Sequence, residues 1–95
     1  MKAMTRSIEF DGHTHRCLFR NDCVQAHLLA LTGERRSYEA IFSGNATLIV
    51  TFGSACACFG NCVRQLQEGD QVEVPRSCPL RISADDAADV MLLVR

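Results

Sequence analysis

Hydrophobic and polar positions alternate in short runs along most of the chain, and turn-forming residues interrupt them about every ten positions, the pattern of an all-β domain. Ser7-Ile8-Glu9-Phe10 reads as a half-buried first strand, Asp11-Gly12 as a turn, and His13 to Phe19 as a second strand. Ala46 to Phe52 is rich in β-branched and aromatic residues, with Leu48, Val50 and Phe52 on one face and Thr47, Ile49 and Thr51 on the other. Ala55 to Phe59 leads through a tight Gly60-Asn61 turn into Cys62 to Leu66. Gln71 to Val74 alternates polar residues with valine, and Pro75, lacking a ladder donor, ends that strand or marks an edge. Leu80 and Ile82 share a strand face, and after an acidic link at Ala84 to Ala88 a strand from Asp89 to Arg95 follows, a helix from Asp86 onward being the alternative.

Residues 23–32 fit two elements. As a helix, Asp22 is the N-cap, Val24, Leu28 and Leu31 form a stripe, and Gly33 caps the end. As a strand, Val24, Ala26, Leu28 and Ala30 take one face while His27, Leu29 and Leu31 take the other. The regular march of turns on both sides selects the strand, and His27 then reads as a satisfied, partly buried histidine rather than a catalytic base.

Two punctuated strand pairs dominate the stretch from Ser37 to Ile82. A run from Ser37 to Phe42 stops at Ser43-Gly44-Asn45 and restarts at Ala46, which predicts a hairpin; Glu68-Gly69-Asp70 separates one strand from Gln71 to Val74. This punctuation resembles that of the small single-domain cupins of the RmlC-like jelly-roll type. Their second motif runs glycine, five residues, proline, one residue, glycine, two residues, histidine. Gly69 and Pro75 match it, whereas Ser77 stands at the second glycine and Leu80 at the metal-binding histidine. Of their first motif Gly44 fits the closing glycine, Glu39 lies too close to it for the motif's glutamate, and Gly33-Glu34-Arg35-Arg36 holds no histidine pair. The resemblance covers the last two-thirds of the chain. It implies an antiparallel β-barrel or jelly roll of about eight to ten short strands over residues 1–95, without the usual metal ligands and without a cofactor.

Ninety-five residues suit one domain that buries about two-thirds of its unfolded surface. Ten basic and eleven acidic residues give a net charge of -1 with both signs mixed, so there is no basic stripe for nucleic acid. The first seven residues lack an apolar core and no run approaches a membrane span, which leads to the expectation of a cytoplasmic protein with no membrane partner. In that setting the six cysteines are reduced, most of them small apolar side chains.

Three clusters invite chemistry. In an extended strand His13, His15 and Cys17 share a face, a row that suits zinc or another borderline metal; no fourth ligand has local spacing, so a polar face near the N-terminal edge is the reading adopted. Cys56-x-Cys58-x3-Cys62 would bring three thiols together if Cys62 returned beside the pair across the turn, a geometry for a soft metal or a redox couple. Buried structural cysteines are the simpler reading. Glu34-Arg35-Arg36 is read as a solvated loop in which an arginine could clamp a carboxylate or phosphate.

Both Leu28 to Leu31 and Val90 to Val94 are apolar on both strand faces. Such strands are covered twice, either by central positions in a closed sandwich or by a second subunit, and a homodimer through a sheet face is expected. The reading as a whole is a metal-independent, dimeric, cupin-like module for a small-molecule ligand. Leu48, Val50, Leu80 and Ile82 are the expected cavity lining, and Arg36, Tyr38 and Glu39 the polar mouth. Likeness in length and landmarks to the short cupin-type nucleoside phosphorylases implies an alternative, phosphate-dependent cleavage of nucleosides with Arg36, Arg76 and Arg81 as candidate phosphate contacts. A Cys/His metal or redox protein is the third reading.

Overall fold

The computed structural model describes residues 7–10, 13–32 and 36–95, with side chains from His13 onward. Among these residues ten strands form: β1 (Ser7–Phe10), β2 (His13–Arg20), β3 (Gln25–Leu31), β4 (Ser37–Ala40), β5 (Ala46–Phe52), β6 (Ser54–Phe59), β7 (Cys62–Gln67), β8 (Gln71–Val74), β9 (Leu80–Ser83) and β10 (Ala88–Val94). They make a larger sheet in the order β1-β2-β3-β10-β5-β8 and a smaller one in the order β4-β9-β6-β7, all pairs antiparallel. The strand over residues 25–31 is the one selected by the spacing of turns. Its turn from β2 is fastened by Asn21, whose Oδ1 accepts from the Cys23 and Val24 amides at 2.7 and 2.8 Å.

The inner faces follow from alternation. Leu29, Leu31, Leu48, Val50, Val74, Val90 and Leu92 come from the larger sheet, and Ala55, Ala57, Phe59, Leu66, Leu80 and Ile82 from the smaller. Most are less than 2% exposed, so the two layers close on each other over one apolar core.

The run broken at Ser43-Gly44-Asn45 is not a hairpin. β4 pairs with β9 in the smaller sheet and β5 with β10 and β8 in the larger, so the link crosses between layers. The Phe42 carbonyl accepts from the Ser77 amide at 2.7 Å, and Gly44 lies so close to the Arg95 backbone that a Cβ would fall 1.5 Å from its carbonyl oxygen. Glu68-Gly69-Asp70 likewise carries the chain from β7 in one sheet to β8 in the other. A glycine-punctuated break reads the same in sequence whether the strand folds back or changes layer. Gly53 makes another such crossing at φ 76°, with a Cβ there only 2.8 Å from the Ala87 carbonyl.

Two strands carry irregularities. Between Cys17 and Phe19 the β2–β3 register shifts by one residue, and Leu18 and Phe19 are left exposed. A second shift lies between Asp89 and Val90 where β10 meets β5. β3 and β10 are both central, and their outward residues Ala26, Leu28, Ala30, Met91 and Leu93 form with Ile49 a half-buried apolar outer face.

Candidate functional site

Register brings the histidines together. His13 lies opposite Leu31, His15 opposite Leu29 and Cys17 opposite His27, so the β2 row faces inward with the interior row of β3 rather than forming a polar edge. β1, not β2, occupies the sheet edge. Tyr38, opposite the core residue Ile82, approaches from the smaller sheet: its ring meets His13 edge-on at 5.0 Å and His15 at 6.3 Å.

The hydrogen bonds have a direction. His13 Nδ1 donates to the Ser37 carbonyl at 2.9 Å, tying β2 to the start of β4 across the layers. Gln25 Oε1, an acceptor, lies 3.0 Å from His27 Nε2, which therefore carries the proton. A neutral His27 then accepts at Nδ1, and His15 Nε2, 2.8 Å away, donates to it. A neutral His15 consequently presents Nδ1 as a lone pair. Burial pushes the His15 and His27 pKa values down, helped at His15 by His13 and at His27 by His15 and Arg20. Burial raises the Tyr38 phenol, which stays protonated. His15, His27 and Tyr38 are thus uncharged donors and acceptors at one end of an apolar interior.

Of the residues expected to bind a ligand, only Tyr38 joins this cluster. Leu48, Val50, Leu80 and Ile82 are 0–2% exposed in the packed core. Glu39 follows Tyr38 by one residue and therefore points outward, where it pairs with Arg81 at 3.5 Å. Glu39, Leu80 and Arg81 with Ala40, Ile41 and Pro79 line an open groove of about 380 Å³ at the end of β4 and the start of β9. Arg36 stands just before β4 at a positive φ of 37° and donates from Nε to the Ala84 carbonyl at 3.3 Å. Arg76 lies in the loop after β8, its amide bound to Asn45, so the three arginines considered for phosphate occupy separate settings. His27 and Gln25, absent from the expected site, had a signal: both faces in question are odd-numbered, and the turn joining β2 to β3 is short.

Cys62 does not return beside Cys56 and Cys58. The two-residue turn pairs Phe59 with Cys62 and Cys58 with Val63, so Cys62 follows the Phe59 face. Cys56 and Cys58 remain together on the outer face of β6.

The metal that the cupin resemblance brings to mind does not fit. Leu80, at the position of the motif's histidine, is buried in the core, and among the described residues no three His, Cys, Asp or Glu side chains gather to hold an ion. Two of the three histidines spend a nitrogen on each other. Gly33, Glu34 and Arg35 lie outside the described residues.

No protein-family model and no curated protein matches the sequence. Solved structures do. An RmlC-like cupin from Shewanella frigidimarina superposes with a TM-score of 0.83 at 14% identity, over 95% of this chain and 82% of that one. A cupin superfamily protein from Desulfitobacterium hafniense gives 0.76 at 18% identity, over 99% of this chain and 82% of its own. An oxalate decarboxylase variant from Bacillus subtilis gives 0.82 at 17% identity over 95% of this chain, which spans 27% of that enzyme. With two antiparallel sheets, this strand order and these superpositions, the chain has the RmlC-like cupin jelly-roll fold.

Proposed function

We propose that this chain is a metal-independent binding module that takes a small organic acid at the His13–His15–His27–Tyr38 cluster and works as a homodimer. The observation that carries the ligand class is the directed chain from His15 through His27 to Gln25. It leaves His15 with a lone pair in a half-buried, proton-poor setting, beside a phenol that can donate. A carboxylic acid entering there would hand its proton to His15 Nδ1 and remain as a carboxylate against the imidazolium, with the Tyr38 hydroxyl on its second oxygen. The burial that keeps His15 and His27 neutral is offset once an anion lies beside them, because the anion favours the imidazolium. The groove by Glu39 and Arg81 is too open to enclose a ligand and is left out of the site. Support for the homodimer is the apolar outer face of the larger sheet, centred on Leu28 and Met91, which directly oppose each other across β3 and β10.

Calorimetry with benzoate, and benzamide as its neutral counterpart, in two buffers of different ionisation enthalpy at pH 7.5 tests the ligand class. Expected are preference for benzoate, uptake of a proton on binding, and loss of that uptake in His15→Gln. Tyr38→Phe should weaken binding by roughly tenfold, about one hydrogen bond. Equal binding of acid and amide, or benzoate binding with no proton taken up, would discard the reading.

A further inference from the structure

Cys56 and Cys58 are alternate residues of β6 and project from the same outer face of the smaller sheet. Both are half-buried, and neither is in a disulfide. Burial, the Cys58 thiol and Asp85 push the Cys56 thiol pKa up. Across the sheet Cys58 faces Val63 on β7 and Arg81 on β9, and Cys56 faces Gln65 and Ser83. A dent of about 40 Å³ lies beside Cys56, lined also by Ser54, Gln65, Ser83 and Asp85.

Bonding the two sulfurs to each other is disfavoured by the strand. Residues i and i+2 of an extended chain have Cα atoms about 6.6 Å apart with parallel Cβ vectors, at the far end of what a disulfide spans. A bridging atom relieves that mismatch. Zinc would need two further ligands, yet among the described residues no group of three or more His, Cys, Asp and Glu side chains forms there. Two soft donors alone suit a soft ion content with two ligands.

We propose that Cys56 and Cys58 form a two-coordinate thiolate site for a soft monovalent metal ion of the Cu(I) class on the outer face of the smaller sheet. On binding, each thiol gives its proton to solvent and its sulfur pair to the ion, which keeps its oxidation state; the product is a bis-thiolate complex with one net negative charge. Arg81, paired with Glu39, stands opposite Cys58 on β9. The site is independent of the organic-acid reading, since it lies on the opposite side of the smaller sheet from Tyr38 and uses none of the histidines.

The test is anaerobic titration of the reduced full chain with Cu(I) against the chromophoric competitor bicinchoninate, in a background where the exposed Cys23 and Cys62 are serine. One ion per chain should be withheld from the competitor, with X-ray absorption showing two sulfur neighbours. Cys56→Ser and Cys58→Ser should each weaken binding at least roughly a hundredfold, the upper end of what even the outer partners of metal sites contribute. Unchanged thermal midpoints of the metal-free variants would assign that loss to the ligand rather than to the fold. Retention of the ion by the Cys56→Ser/Cys58→Ser double variant overturns the proposal, as does its disappearance in the Cys23→Ser/Cys62→Ser background or equal displacement by zinc.

Discussion

His15 donates from Nε2 to His27 Nδ1 across 2.8 Å, a direction that holds only while His27 is neutral. Both imidazoles have pKa values pushed below the ordinary value of about 6.5. The unfolded chain therefore binds more protons than the folded one just below that pH. Stability should be full above about pH 6.5, decline as pH falls through and below it, and level off once the folded-state values are passed. Urea midpoints between pH 8 and pH 5 measure this. His15→Gln with His27→Gln should flatten the decline; a wild-type midpoint constant down to pH 5 would contradict the assigned protonation.

Gly53 and Gly69 both have positive φ, 76° and 91°, but only Gly53 is crowded: a Cβ would meet the Ala87 carbonyl at 2.8 Å, whereas nothing lies within 4 Å of the same position at Gly69. Gly69→Ala should cost about 1 kcal/mol, the backbone effect alone. Gly53→Ala adds a steric clash with rigid backbone and should cost clearly more. Chemical denaturation of the two variants side by side decides whether the crossing at Gly53 is as tight as described.

Leu92 sits between His27 on β3 and Leu48 on β5 and is fully buried. Leu92→Ala should destabilise by about 2–5 kcal/mol with little change in the denaturant slope, since it opens a cavity without altering what unfolding exposes.

The outer face of the larger sheet should hold the proposed homodimer. Sedimentation equilibrium is expected to give a dimer, and Met91→Arg, which places a charge beside Leu28, a folded monomer. A wild-type monomer at about 100 μM would leave that face as plain solvent-facing surface.

Strand positions were legible from local sequence: Leu80–Ser83 follows from alternation, and Gln25–Leu31 from the spacing of the turns on either side of it. Layer membership was not. Ser43-Gly44-Asn45 carries the chemistry of a return turn, yet the partners that draw β4 to β9 and β5 to β10 lie far along the chain, and no local signal encodes them. The Gly60-Asn61 turn was legible because its two-residue length leaves one register, and that same register separates Cys62 from Cys58. At the site the His13 and His15 row was visible as a face. Its partnership with His27 depended on pairing β2 to β3, and the bulge after Cys17 shows that such pairing is not uniform along the strands.

The position of β10 between β3 and β5 bears on how the protein is made. β10 is the last of the ten strands to leave the ribosome, yet it forms the seam of the larger sheet. Until it emerges, the β1-β2-β3 meander and the β5-β8 pair are two fragments with open edges and no partner between them. The larger sheet therefore stays in two halves, with unpaired apolar strand edges, until that single strand joins them.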